Sequence, residues 1–337
     1  MRAFQRRVAG VLVAAVGTAF VAVVVASRLF SVGPAFERMS DGFRPAMKPA
    51  PIGQLQDDLG GLSAVSQEFG SEAVPMLSGA LGMTPEEFTV FMTDQYPAVA
   101  AGIQQLPGIV EQFEGVVGTL AAEQSRFVEA DAIPTSTLPA TTVPWGLLVA
   151  GIIALGFGFM IAAKPARLWP ALALALGGLL VVAPIALSLT GKASAADTMN
   201  ENLKPVYTAQ TLAGAQEALT TIGAMGEQMQ TQMLPALGQQ LGMDEAQLQG
   251  FLQENLPATA AAIQAMPQAL GRFTDLLATF NAHLSDYDTL KTVAFVPIVW
   301  TMITGGIVVF LAAGWVLLAR PRKEIEVAAQ PYELKAA

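Results

Sequence analysis

Apolar residues are arranged along the chain in two ways, as four long unbroken runs and as stripes at helical spacing in the segments between them. The runs contain no Asp, Glu, Lys, Arg or His, and they cover Val8–Ala26, Pro144–Ala163, Leu168–Thr190 and Val293–Ala319. Each is close to the roughly 20 residues that a helix needs to cross a bilayer. Because hydrocarbon offers the backbone no hydrogen-bond partners, each run is predicted to be a transmembrane helix.

Basic residues lie beside one end of every predicted span. They are Arg2, Arg6 and Arg7, then Lys164 and Arg167, then Arg320, Arg322 and Lys323. Since Lys and Arg concentrate on the cytoplasmic side, both termini are predicted to be cytoplasmic and both long segments extracytoplasmic, in a multi-pass protein of the plasma (inner) membrane. The acidic excess agrees, because residues 31–143 hold 14 acidic and 4 basic side chains and residues 191–292 hold 10 and 4.

These boundaries predict the organisation of the whole chain. Residues 1–7 are the cytoplasmic N-terminus, 8–27 the first span, 28–143 the first helical domain with a Pro/Thr-rich linker at 131–143, 144–163 the second span, 164–167 a cytoplasmic turn, 168–190 the third span, 191–292 the second helical domain, 293–319 the fourth span and 320–337 the cytoplasmic tail. A signal peptide cleaved after Val24-Val25-Ala26 is the alternative interpretation of the first run. The length of that run favours a retained helix.

A shift of 160 residues aligns the two halves of the chain. Over Glu72–Thr119 against Gln232–Thr279, 48 positions without a gap, 15 residues are identical. The identities include Pro75/Pro235, Leu81-Gly82-Met83/Leu241-Gly242-Met243, Phe91/Phe251, Pro97/Pro257, Pro107/Pro267 and Phe113/Phe273. Spaced proline, glycine and phenylalanine pairs of this kind indicate an internal repeat.

The segments between the spans have a helical pattern. Thr84 and Glu87 form a capping box with Pro85 at the first helical position, and Asp244 and Gln247 offer the same chemistry in the second copy. Apolar residues then recur at helical spacing on both copies. Pro97 and Pro107 are expected to divide the next part of the first copy into a short helix and a longer one, since an interior proline costs about 3 kcal/mol.

Together these patterns predict an all-α integral membrane protein with four transmembrane helices. It is a tandem duplication of a unit made of a span, an extracytoplasmic helical domain and a second span. Two spans per unit is an even number, so both copies enter the membrane from the same side. They are therefore expected to be related by a pseudo-two-fold axis along the membrane normal.

Composition limits the chemistry. The chain is 53% hydrophobic and 13% charged, has no cysteine, a single histidine and a net charge of −9. Thiolate nucleophiles, cysteine metal sites and multi-histidine metal sites are excluded, and the charge argues against nucleic-acid binding. No phosphate loop, nucleophile elbow or metalloprotease motif occurs, so we expect no enzyme activity, no cofactor and no metal.

Two sets of residues are candidate interaction sites. Small residues that let helices pack closely or dock another membrane protein are Gly10, Ala14, Thr18, Ala22 and Ala26 in the first span and Gly305, Gly306 and Gly314 in the fourth. Apolar residues that form the faces of the helical domains are Phe88, Phe91, Met92, Phe113, Met225, Met229, Met233, Leu248, Phe251 and Phe273.

Other chemistry-bearing residues have plainer interpretations. The stripe Met225, Met229 and Met233 could bind copper(I), but Val65, Phe69 and Ala73 at the aligned positions indicate core packing. His283 has no apparent catalytic partners. The acidic pairs Asp57–Asp58 and Asp286–Asp288 lack a calcium-loop pattern and are expected on solvated faces.

These observations favour a non-enzymatic plasma-membrane protein. Its paired helical domains would bind a partner protein or a hydrophobic ligand, as an accessory subunit of a cell-envelope assembly. The expected partners are membrane lipids and another envelope or membrane protein. High alanine and scarce lysine suggest a bacterial source. The alternative is a transporter of lipid or another amphiphile that uses a cleft between the two repeats, and this alternative predicts an apolar groove there.

Overall fold

The computed structural model describes residues 2–135 and 138–319, and these residues form helices and connecting turns with no β-strand. The helices are α1 Arg2–Ala26, α2 Leu29–Phe43, α3 Pro49–Glu68, α4 Val74–Ala80, α5 Pro85–Gln95, α6 Pro97–Asp131, α7 Thr142–Ala163, α8 Leu168–Ala186, α9 Leu189–Leu203, α10 Ala209–Gln228, α11 Leu234–Leu241, α12 Glu245–Asn255, α13 Pro257–Ala282, α14 Leu284–Leu290 and α15 Phe295–Leu318. The tail predicted at 320–337 lies outside the described residues.

Four of these helices are long and apolar enough to cross a membrane. They cover Ala3–Ala26, Thr142–Ala163, Leu168–Ala186 and Phe295–Leu318. The third ends four residues before its predicted end, because Ser188 adopts a left-handed conformation with φ 52° and a new helix starts at Leu189. The chain is therefore an all-helical protein with four candidate membrane spans.

The chain divides into two compact units. The span unit holds residues 2–26, 145–187 and 298–319, and the helical unit holds Ser27–Pro144 and Ser188–Pro297. Within the span unit, glycines bring the backbones together. A Cβ added at Gly158 would lie 2.6 Å from the carbonyl oxygen of Gly10, and one at Gly177 would lie 2.8 Å from that of Gly306. Close packing of this kind requires small residues at the contact.

The helical unit has one hydrophobic core that both long segments build, in place of the two separate domains predicted from the sequence. Phe113 of α6 packs on Phe273 of α13 with ring centroids 4.8 Å apart. Both rings are buried, and α6 also packs on α9 and α10. The segments merge because the apolar face of each is covered by helices of the other.

Polar contacts between the segments are reciprocal. The carboxylate of Glu68, at the end of α3, accepts hydrogen bonds from the backbone amides of Ala258 and Thr259 at 3.0 and 2.7 Å. The amide oxygen of Gln228, at the end of α10, accepts from the backbone amides of Ala98 and Val99 at 2.8 and 3.1 Å. Each segment thus satisfies the open N-terminus of the other's longest helix, where backbone donors lack intrahelical partners.

Several backbone features recur 160 positions apart. The bounds of α2, α3 and α5 recur in α9, α10 and α12, and a π-helical turn follows both α3 and α10, at Phe69–Ala73 and Met229–Met233. Left-handed residues occur at Arg28 and Ser188. Both predicted capping boxes form.

The sequence predicts that Pro97 and Pro107 divide this part of the chain, and only Pro97 does so, as the first residue of α6. α6 runs without a break through Pro107, and α13 through Pro267. Both prolines lie on the exposed face, while Leu106 and Ile109 next to Pro107 are buried. Packing on both sides of the proline holds the helix together against the local cost. The Pro/Thr-rich stretch is non-helical over its described residues 132–135 and 138–141.

Candidate functional site

The helical unit contains an apolar groove of about 330 Å³ between helices of the two segments. We call it the α3–α13 groove. Its walls are Gly61, Leu62 and Ala64 of α3, Leu219 and Ile222 of α10, and Ala258, Ala261, Ala262, Ala265, Met266, Ala269 and Leu270 of α13, with Phe113 and Phe273 as further lining. An apolar cavity of about 150 Å³ accommodates benzene, so this groove has room for several methylene groups.

Side-chain size explains why the groove exists. The α13 wall carries alanines at 258, 261, 262, 265 and 269, a spacing that puts them on one helical face. Opposite them, α3 contributes Gly61 and Ala64. Short side chains on both helices cannot fill the space between the backbones, and open volume results.

At two of the five alanine positions, the residue 160 positions earlier in the chain is larger. Gln105 and Ile109 stand 160 positions before Ala265 and Ala269. Met225 of α10 packs so closely on α6 that a Cβ added at Gly102 would lie 2.6 Å from its sulfur. Side chains of α6 and α10 thus occupy space at these matched positions, whereas the alanines of α13 leave it open.

Two aspartates line the groove beside its apolar walls. Asp58 accepts two hydrogen bonds from the Arg272 guanidinium, 2.7 Å to Nε and 2.6 Å to Nη2, and its side chain is 9% exposed. This corrects the expectation that Asp58 lies on a solvated face. Asp57 is exposed and forms no ion pair within the part of the chain that the structure describes. The lining contributes carboxylates and no Lys or Arg.

A second groove of about 600 Å³ lies within the second segment, among α11, α12 and α13. Its lining mixes the apolar residues Leu234, Met243, Leu248, Leu252 and Ile263 with the glutamines Gln230, Gln239, Gln249 and Gln264. It is larger than the α3–α13 groove, but helices of only one segment form it and its walls are more polar.

A small aromatic cavity of about 40 Å³ lies among α2, α6, α9, α13 and α14. Tyr207 donates a hydrogen bond to the Phe280 carbonyl at 2.7 Å, and Tyr287 donates to the Asn200 carbonyl at 3.0 Å. Burial, followed by the negative charges of Glu201 and Asp288, raises the pKa of Tyr287 to about 12. The cavity has room for a few waters and none for an alkyl chain.

A buried carboxylate lies beside this cavity. Glu123 is 2% exposed, and its Oε1 accepts hydrogen bonds from Arg126 at 2.6 Å and from Asn202 at 2.7 Å. Its Oε2 has no hydrogen-bond partner among the described residues, and neither has Asn200 Oδ1. The network joins α6 of the first segment to α9 of the second.

His283 and Asp286 form a second polar cluster. The sequence indicated no partners for this histidine and a solvated position for this aspartate. His283 Nδ1 lies 3.3 Å from Asp286, and Arg38 of α2 forms an ion pair with the same carboxylate at 2.5 Å. Burial alone would raise the pKa of Asp286, but hydrogen bonds from Arg38 and His283 outweigh it and hold that pKa below its usual range. The carboxylate stays ionised.

The predicted apolar faces are part of the core. Buried residues of that set are Phe88, Met92, Phe113, Met225, Met229, Met233, Leu248 and Phe273, and partly buried ones are Phe91 and Phe251. The set therefore offers little free surface to a partner. Phe113 and Phe273 contribute to the α3–α13 groove and Leu248 to the second groove.

The predicted small residues divide into packed and exposed members. A Cβ at Gly10 would lie 2.5 Å from the Gly158 carbonyl oxygen, one at Gly305 would meet the Phe20 ring at 2.7 Å, and one at Gly306 would lie 3.0 Å from the Gly177 carbonyl oxygen. Ala14 is half-buried, and Gly314 has only Leu174 near it, at 3.6 Å. Thr18, Ala22 and Ala26 are exposed within the span unit.

No group of three or more His, Cys, Asp or Glu in the described ranges could hold a metal ion. The alternative interpretation predicted an apolar groove between the two segments, and Phe113 and Phe273 were candidate residues, but the five alanines on one helical face that line the α3–α13 groove were not identified from the sequence. Comparison of the chain with protein-family models, with curated proteins and with solved structures gives no match.

Proposed function

We propose that this protein is a non-enzymatic, multi-pass plasma-membrane protein that binds the apolar chain of an amphiphile in the α3–α13 groove. The observation that carries the proposal is the groove itself, an apolar volume of about 330 Å³. Pockets with mostly apolar walls and few polar groups are the usual sites of small-molecule binding. Filling the groove with methylenes removes apolar surface from water on both sides, which is favourable.

The groove also favours a ligand over a partner protein as the principal target. A docking surface for a protein would be a broad exposed apolar patch. In the helical unit the large apolar side chains singled out from the sequence are mostly buried. Space is open instead between α3 of one segment and α13 of the other, which is the arrangement expected for an amphiphile site between repeats.

The duplication is part of the proposal. Two tandem copies related by a pseudo-two-fold axis along the membrane normal would place equivalent residues in contact near that axis. The contact between Phe113 and Phe273, which align at the shift of 160, supports this arrangement. The reciprocal contacts of Glu68 and Gln228, also 160 positions apart, support it as well.

We place the helical unit outside the cytoplasm. It carries 24 acidic and 9 basic residues, a net charge of −15, whereas the remaining segments carry 3 and 9. The basic excess beside the span ends, in the segments predicted to be cytoplasmic, supports this sidedness. An amphiphile would then reach the groove from the outer side of the membrane.

Photocrosslinking of the full chain in phosphatidylcholine nanodiscs tests the proposal. The probe is dodecanol with a diazirine on its alkyl chain, and peptide mass spectrometry locates the adducts. We expect adducts on residues 61–64 and 258–270, and competition by unlabelled dodecanol. Adducts confined to the four spans, or labelling that dodecanol does not reduce, would contradict chain binding in the groove.

The first copy provides the variant for this experiment. Ala265→Gln combined with Ala269→Ile introduces the residues found at the aligned positions 105 and 109 and fills the groove. Excluding two or three methylenes, at about 0.8 kcal/mol each, lowers the affinity for dodecanol at least about tenfold. Ala278→Ile, an exposed position of the same helix outside the groove, is the matched control and leaves labelling unchanged.

A further inference from the structure

The charges at the α3–α13 groove indicate which head group its ligand carries. We infer that the ligand is a single-chain amphiphile with a cationic head, of the long-chain amine class. This inference rests on the proposed function, because the groove must first hold the chain. It depends on the charged groups beside the apolar walls, which have no part in the proposed binding of the alkyl chain.

The polar lining of the groove is anionic. Asp57 and Asp58 are the charged residues that line it in the described ranges. Asp58 is already neutralised, since both its oxygens accept hydrogen bonds from Arg272 at 2.7 and 2.6 Å. Asp57 is exposed and has no ion-pair partner among the described residues. A head group at this position therefore meets one uncompensated carboxylate.

The nearest cationic side chain, Arg272, does not offset the negative charge of Asp57. Arg272 is held by Asp58 in a two-bond contact, which is the geometry in which guanidinium and carboxylate pair most strongly. Its charge is thus not free for a phosphate, sulfate or carboxylate head. The helical unit as a whole has 24 acidic and 9 basic residues. Such a field concentrates cations near the surface and repels anions.

Groove size limits the apolar part of the ligand. About 330 Å³ is roughly twice the volume that accommodates benzene, which suits part of one alkyl chain better than the two chains of a phospholipid. The combination of one chain and a cationic head defines the class. An exposed ion pair contributes modestly, so we expect the amine to bind about twofold to fivefold more tightly than the uncharged alcohol, and less tightly as salt is added.

The test compares three competitors that share a dodecyl chain and differ in the head group. Dodecylamine and dodecyl sulfate below their micellar concentrations, and dodecanol below its solubility limit, compete with the diazirine probe on the full-length protein in phosphatidylcholine nanodiscs. We expect dodecylamine to compete best and dodecyl sulfate worst. Raising the salt concentration from 50 to 500 mM narrows the difference between the amine and the alcohol.

Two variants of the protein test binding of the head group independently of binding of the alkyl chain. Asp57→Asn is expected to remove the preference for the amine while dodecanol binds as before. Asp94→Asn, an exposed aspartate on α5 outside the groove lining, is expected to preserve that preference. An amine preference that survives Asp57→Asn, or equal competition by all three heads in the unaltered chain, would overturn the inference about the head.

The groove-filling variant shows which proposal fails. If Ala265→Gln with Ala269→Ile abolishes labelling but the three heads compete equally, chain binding stands and the cationic head is rejected. If that variant leaves labelling by the probe unchanged, the groove is not the chain site and both proposals are rejected. Thermal unfolding of every variant in the same nanodiscs checks that the helical unit remains folded.

Discussion

The two halves of the helical unit share a backbone plan and differ in what the side chains do with it. Helices, π-helical turns and left-handed residues recur at a spacing of 160, from Arg28/Ser188 to Gly82/Gly242. The space beside α13 is open, whereas Gln105 and Ile109 stand at the matching places on α6. Matched backbone geometry therefore accommodates different side chains, and a groove opens where one half has the smaller ones.

The polar clusters of the two halves occupy matched positions but contain different side chains. Glu123 pairs with Arg126, three residues later, and with Asn202 of α9. At the aligned positions, His283 pairs with Asp286, so acid and base have exchanged places. Gly42 stands where the second segment has Asn202, and a Cβ there would overlap the His283 ring. Matched positions keep a polar cross-link without keeping its chemistry.

The largest expected effect concerns the phenylalanine pair. Phe113→Ala and Phe273→Ala should each lower the free energy of unfolding by about 3–5 kcal/mol, because each truncates a buried ring and leaves a cavity. Since the rings are in contact, the double variant should cost less than the sum of the two. Urea unfolding of the purified full chain in detergent, followed by circular dichroism, measures this.

Phe91→Ala is the control for that pair. Phe91 is only partly buried, so its truncation should cost clearly less. Unequal effects of Phe113→Ala and Phe273→Ala, differing by more than about 2 kcal/mol, would argue against equivalent roles of the two rings.

An intermediate effect is expected at the reciprocal caps. Glu68→Ala should destabilise the unit by about 2 kcal/mol and Gln228→Ala by about 1 kcal/mol, because hydrogen bonds to a charged acceptor are the stronger ones. Amide hydrogen exchange should accelerate at Ala258 and Thr259 in the first variant and at Ala98 and Val99 in the second.

Glu68→Gln makes the two caps chemically alike. It should reduce the cost at Glu68 to about that of Gln228→Ala and keep most of the protection at Thr259. Exchange that accelerates equally throughout the unit would show that the caps do not act locally.

The smallest effect concerns pH and the ion pair of the second half. The pKa of Asp286 is lowered in the folded state, so its ionised form stabilises the fold above the ordinary carboxyl pKa of about 4. That contribution is lost as pH falls through the lower folded value. Asp286→Asn should remove this contribution and lower the free energy of unfolding by about 1 kcal/mol at pH 7. The loss is small because Arg38 is exposed and its guanidinium is hydrated when the carboxylate is absent.

Thermal unfolding between pH 7 and pH 3 tests this last prediction. The unaltered chain should lose more stability than Asp286→Asn as the pH falls below about 4. Parallel pH profiles for the two proteins would contradict the role given to Arg38 and His283.

Local patterns identified much of the fold. Four apolar runs indicated the spans, and the capping residues at Thr84 and Asp244 located the start of α5 and α12. The prediction that Pro107 divides a helix was wrong. The local cost of an interior proline is outweighed by the packing of its neighbours, which cannot be read from the sequence. Asp58 and Asp286 were misjudged because their partners, Arg272 and Arg38, are 214 and 248 residues away.

The sequence by itself determined the helical content, the four apolar helices and the matched features 160 positions apart, because these depend on hydropathy and on residues within a few positions of one another. Only the tertiary structure decided that the two long segments share one core and that a groove opens between α3 and α13. The physical reason is that burial and open volume depend on which faces meet in space, and the chain order of the helices does not specify those contacts.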